Sequence, residues 1–170
     1  MRIQPIEPGT RPQLAAIEAK IQSERGRVSL LYQVLLNSPA IAQGWEQLLT
    51  AVRNRSSLPA DLREMVILRV AVLNRARYEF DAHVPHAQTA GMSDQKIAAL
   101  RDAAISPMFS QQEQSVLQLT DVMTRDIDVA DDLFAAVKHY FDDQQMIDLL
   151  VTISAYNMVS RFLAATQIGH

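Results

Sequence analysis

The residues best suited to chemistry lie within residues 62–91, which read LREMVILRVAVLNRARYEFDAHVPHAQTAG. Glu64 sits in an otherwise apolar helical stretch. On a helix its face is shared by Leu68, Ala71 and Arg75 at i+4, i+7 and i+11, so it is expected to face protein rather than bulk water. Burial raises a carboxyl's pKa towards neutrality, where it serves well as a proton shuttle. The plainer alternative is a buried glutamate satisfied by a backbone group, or by Arg69 or Arg75. Glu79, His83 and His86 follow at i, i+4 and i+7 on one narrow stripe. A glutamate one turn before a histidine can fix its tautomer and raise its basicity, which would make His83 a general base or proton relay. A satisfied pair on a helix surface is the competing interpretation.

The same stripe makes a poor metal site. Ligands at i and i+4 can share an ion, but the residue at i+7 lies about 10 Å along the axis from the first. No metal or cofactor is expected. Tyr78 and Arg75 are candidates for substrate binding, the first through its phenol and the second through a bidentate clamp on a carboxylate; His86 joins them. Arg77 flanks the same break. Trp45 is most simply core. Tyr156, Asn157 and Arg161 interrupt an apolar helix and could line a pocket or an oligomer seam. His139 and His170 suggest no role. There is no Gly-rich phosphate loop and no Gly-x-Ser-x-Gly elbow.

These side chains must be positioned by helices. Clean alternation is absent and only 5 of 170 residues are glycine, so the chain is expected to be all-α, one helical bundle of about seven helices. The first ten residues form an irregular arm with Pro5, Pro8 and Gly9. A first helix spans about 11–24 and a short second one carries Leu30, Leu31, Val34 and Leu35. The third opens at Ser38-Pro39 and turns Ile41, Trp45, Leu48, Leu49 and Val52 inward. The fourth, from Pro59 or Ala60, is apolar nearly all round and therefore central. A break at Asn74-Arg75 precedes a fifth helix, which Pro85 should bend and Gly91 should end. Ser93 caps a short helix, and Ser110 with Glu113 forms a capping box for the next. Asp128 is expected to cap a helix reaching Tyr140, and the last helix covers about 142–166.

Composition narrows the function classes. With no cysteine, the chain has no disulfides, no thiolate catalysis and no cysteine-held zinc or iron–sulfur cluster. A net charge of −3 without a basic stripe gives no reason to expect nucleic acid. The amino-terminal residues lack a signal-peptide pattern, and Asp148, Asn157 and Arg161 interrupt the most apolar stretch, 146–165. A cytoplasmic protein without a membrane span is the expectation.

Four segments carry a family resemblance: LLNSPAIAQGW (35–45), SLPADLREMVILRVAVLN (57–74), YEFDAHVPHAQTAGMSDQKIAAL (78–100) and YNMVSRF (156–162). On these the chain resembles the carboxymuconolactone decarboxylase-like family, which includes alkyl hydroperoxidase D-type proteins, over about residues 28–169. The resemblance implies a helical domain over 28–170 preceded by an arm and helix at 1–27, in one structural domain overall. It also implies a homo-oligomer, often a trimer or hexamer. The thiol branch of the family carries a glutamate and a Cys-x-x-Cys-x-x-x-His motif. These align with Glu64, Ala76, Glu79 and His83, so both cysteine positions are replaced and peroxidase or peroxiredoxin activity is disfavoured. The decarboxylase branch also lacks the pair and acts on a lactone acid. The resemblance therefore implies cofactor-free acid–base chemistry on a small organic acid or lactone, with His83 oriented by Glu79 and Glu64 as a relay. A non-catalytic oligomeric binding or scaffold protein is the alternative.

Overall fold

A computed structural model describes residues 1–169; His170 lies outside the described residues. Among them there are no strands. Nine α-helices occur: α1 (Ala15–Arg25), α2 (Leu30–Leu35), α3 (Pro39–Asn54), α4 (Ala60–Leu73), α5 (Arg77–Thr89), α6 (Asp94–Ala99), α7 (Gln111–Arg125), α8 (Asp131–Lys138) and α9 (Asp143–Thr166). A 3-10 turn, Pro12–Leu14, precedes α1. The all-α expectation holds; about seven helices are expected and nine are found, seven of them longer than six residues. The described residues form two compact units, 1–55 with 163–169, and 56–162.

In the first unit, α3 packs with α1 and α2. Gly26 takes the left-handed conformation that closes α1, at φ 74°. Here a side chain would be strained and glycine is not. Trp45, Leu49 and Val52 are buried as expected, but Ile41 is 59% and Leu48 is 38% exposed. These two lie seven residues apart on the outer face of α3, so the apolar stripe is narrower on the inside than its sequence suggests. Glu46 is fully buried, accepts from the Thr50 hydroxyl at 2.6 Å and pairs with Lys20 at 2.9 Å.

The second unit is built round α4, which packs chiefly on α5 and α7. Its every residue from Glu64 to Ala71 is buried. Arg69 shows how a charge survives there: its guanidinium donates twice to Asp121 at 2.6 Å and once each to the Leu100 and Asp102 carbonyls at 2.8 Å. That bidentate pair ties α4 to α7. Ser110 and Glu113 form the expected capping box on α7, with bonds of 3.2 and 2.7 Å. Helix α8 begins at Asp131, not at an Asp128 cap, because the chain first turns through Ile127 at φ 70°. By length and composition α9 could cross a membrane, yet 56% of its most apolar window is buried, as in the core helix of a globular protein.

Candidate functional site

Helices α4 and α5 bring the site together. Helix α4 ends at Asn74, and Arg75 takes the left-handed conformation at φ 56°. The Ala76 N–H donates to the Ala71 carbonyl at 2.8 Å and the Arg75 N–H to Val72 at 3.0 Å, a Schellman closure without glycine. The chain reverses within three residues, so α5 folds back on α4. Residue 83 of α5 then faces residue 64 of α4.

Glu64 and Glu79 are each 3% exposed and His83 is 7% exposed. Glu64 Oε2 lies 2.7 Å from His83 Nδ1. A ring nitrogen facing a carboxylate oxygen at this distance carries the proton, which leaves Nε2 as the working nitrogen. His83 Nε2 lies 3.3 Å from the Tyr156 hydroxyl on α9, and the two rings meet edge to face at 5.1 Å. Glu64, His83 and Tyr156 therefore form a buried carboxylate–imidazole–phenol chain. The Arg63 guanidinium stands 3.8 Å from the other Glu64 oxygen.

The expected pairing of Glu79 with His83 is corrected here. Residue 79 is one turn from residue 83 along α5, but its Oε2 lies 2.6 Å from Ser160 Oγ on α9, and Oε1 has no hydrogen-bond partner. The orienting carboxylate for His83 is Glu64, which a sharp chain reversal delivers to Nδ1. Burial is the leading influence on the Glu79 carboxyl and pushes it up to about 8. At neutral pH it is chiefly a carboxylic acid. Glu64 makes no bond with Arg69 or Arg75: Arg69 is committed to Asp121, and Arg75 is exposed.

The expected binding residues divide. Tyr78 is half-buried and His86 exposed, although the His86 ring centroid lies 5.6 Å from that of His83. Arg77 is largely exposed and pairs with Asp81 at 3.5 Å. The arginine beside the buried acid is Arg63, which the sequence pattern did not single out. Tyr156 was noted only as part of a polar interruption, and Ser160 not at all. Both occur on α9 at the i, i+4 spacing of one face. Among the described residues no group of three or more His, Cys, Asp and Glu could hold a metal ion.

Residues 39–121 match the family model described as the carboxymuconolactone decarboxylase family, a span holding Glu64, Glu79 and His83 but not Tyr156 or Ser160. The uncharacterised protein YdfG of Bacillus subtilis (strain 168) is 27% identical over 113 residues, 65% of this chain and 77% of its own. Two solved structures share the fold. One is a protein of unknown function from Agrobacterium tumefaciens, described as a candidate antioxidant-defence AhpD. It has a TM-score of 0.73 at 24% identity and covers 79% of this chain and 92% of its own. The other is a cysteine-to-alanine variant of the debrominase Bmp8 in complex with 2,3,4-tribromopyrrole. Its TM-score is 0.81 at 15% identity, over 98% of this chain and 90% of its own.

Proposed function

We propose that this cysteine-free chain, whose residues 39–121 match the carboxymuconolactone decarboxylase family model, is an acid–base enzyme acting on a small organic acid or lactone. The observation that carries the reading is the buried 2.7 Å contact of Glu64 Oε2 with His83 Nδ1, with Nε2 left to work beside Tyr156. A carboxylate behind an imidazole holds the ring in one tautomer and stabilises its cationic form while Nε2 takes a proton. Burial of both groups keeps competing water away and strengthens their coupling.

The chemistry follows from those groups. In proton abstraction, Nε2 removes a hydrogen from the carbon next to a carbonyl, and the Tyr156 hydroxyl can donate to the enolate oxygen. In decarboxylation, the electrons of the bond to the carboxylate carbon move into the conjugated lactone. Carbon dioxide leaves, and the resulting enolate takes one proton at carbon from the His83 imidazolium. Arg63, whose Nε stands 3.8 Å from Glu64 Oε1 without a hydrogen bond, is the cation beside the pair and the candidate to meet a substrate carboxylate. Thiol chemistry is closed to the chain, since no residue can supply a thiolate to a peroxide.

The test is turnover of lactone carboxylic acids, followed as carbon dioxide release and as proton exchange at carbon. Wild type should act on at least one, and Glu64→Gln and His83→Ala should each lower the rate by roughly 10²–10⁴-fold. Unchanged turnover in both variants would overturn the assignment. Assembly into a homo-oligomer belongs to the same reading, supported by Ile41 and Leu48 exposed on α3. A light-scattering mass equal to one chain of 19.0 kDa would contradict it.

A further inference from the structure

We infer that Ser160 is a positioning residue that holds Glu79 as an uncharged carboxylic acid, its acidic hydrogen directed to Ser160 and its carbonyl oxygen, Oε1, left as an acceptor. The inference deepens the proposed reading by giving a state and a task to an acid one turn from His83.

Counting hydrogens leads to it. Ser160 Oγ lies 2.6 Å from Glu79 Oε2 and 2.8 Å from the Tyr156 carbonyl oxygen. Oxygen pairs this close need a hydrogen between them. A serine hydroxyl has one hydrogen, and a carbonyl has none to give. If Ser160 donated to Glu79, the contact with the Tyr156 carbonyl would be empty. If Ser160 donates to Tyr156, a back-bond one turn along the helix, the contact with Glu79 is filled only when Glu79 carries the hydrogen. The second arrangement alone places a hydrogen in each contact.

Oε1 points the same way. It is buried, with no donor within reach, and the whole residue is 3% exposed. A carboxylate would spread half its charge onto that oxygen with no donor to meet it, which is among the costliest arrangements in a protein interior. A carbonyl oxygen without a donor costs far less. The polar groups around Glu79 agree: Ser160 meets it from α9, His83 follows it on α5, and among the described residues no cation pairs with it. Burial, which favours the uncharged form, is the leading influence on the group.

The consequence concerns substrate class. An ionised Glu79 would put a second negative charge near Glu64 and repel an organic acid. The uncharged acid does not. It keeps Oε1 as one unfilled acceptor, suited to a hydroxyl or N–H donor.

Infrared difference spectroscopy of the intact protein tests this without any substrate, so failure of the proposed activity would leave the result unaffected. At about pH 6.5 an ordinary glutamate is ionised and lacks a carboxylic C=O band. The wild-type spectrum minus that of Glu79→Gln should show such a band, at the high frequency of a carbonyl without a donor. In Ser160→Ala the band should move, because the acid loses its acceptor, and Ser160→Thr should restore it. Circular dichroism on each variant establishes that the helices are intact. Absence of a band sensitive to Glu79→Gln would overturn the uncharged state, and a band unmoved in Ser160→Ala would overturn the part given to Ser160.

Discussion

Replacing Glu79 by glutamine should change how stability depends on pH, and the size follows from burial. In the folded protein the Glu79 carboxyl is raised from its ordinary value of 4.5 to about 8. Between those values the native state holds a proton that the unfolded chain has released. The free energy of unfolding must then fall with rising pH, by about 1.4 kcal/mol per pH unit. The stability contributed by the protonated acid is whole below pH 4.5, where both states hold the proton, and is lost as pH rises through about 8. By pH 7 the loss amounts to about 3 kcal/mol. Glutamine has the shape of the uncharged acid, can donate an N–H to Ser160, and cannot ionise. Its protein should lack this slope. Urea denaturation of both proteins, followed by circular dichroism at steps from about pH 5 to pH 8, reads the difference. The gap in favour of Glu79→Gln should widen steadily with pH, reaching a midpoint difference of roughly 1–2 M urea. Two stability curves running parallel across that range would refute the argument, because they would mean that Glu79 titrates alike in the folded and unfolded chains.

Two further predictions concern the frame that holds the site. Asp121→Ala should destabilise the protein by about 3–5 kcal/mol, because Arg69 would stay buried with its main counter-charge gone; equilibrium denaturation measures it, and a loss within experimental error would contradict the part given to this pair. Ile127→Gly should instead stabilise by about 1 kcal/mol. Ile127 is β-branched, is 81% exposed, and sits at φ 70° between α7 and α8, so it contributes strain and little burial. A lower melting temperature for that variant would show that its side chain is used.

Particular residues show what the sequence could reveal. Helix α4 was legible because apolar residues surround it on every side, and the capping box at Ser110 and Glu113 marked the start of α7. The break at Asn74-Arg75 was legible too, though not its geometry: an arginine in the left-handed conformation leaves no glycine signal. That missing geometry is why the partner of His83 was misassigned. Spacing along one helix brings Glu79 within reach of His83, whereas the Glu64 contact spans 19 residues and depends on how tightly α5 folds back on α4. Likewise Ser160 carries no mark in the sequence, since a serine in an apolar helix is ordinary until a buried acid is found against it. The exposure of Ile41 and Leu48 has a similar origin: helical period says which residues share a face, and only packing says which faces are covered.

The central claim is that Glu64 and His83 together move protons for a small organic molecule. Its most direct measurement is deuterium uptake from heavy water at the carbon next to the carbonyl of lactone carboxylic acids, followed by proton magnetic resonance with wild type, Glu64→Gln and His83→Ala. The account predicts uptake catalysed by the wild-type protein and reduced to near the solvent rate in both variants. Equal uptake in all three proteins, whether fast or at the solvent rate, would contradict it.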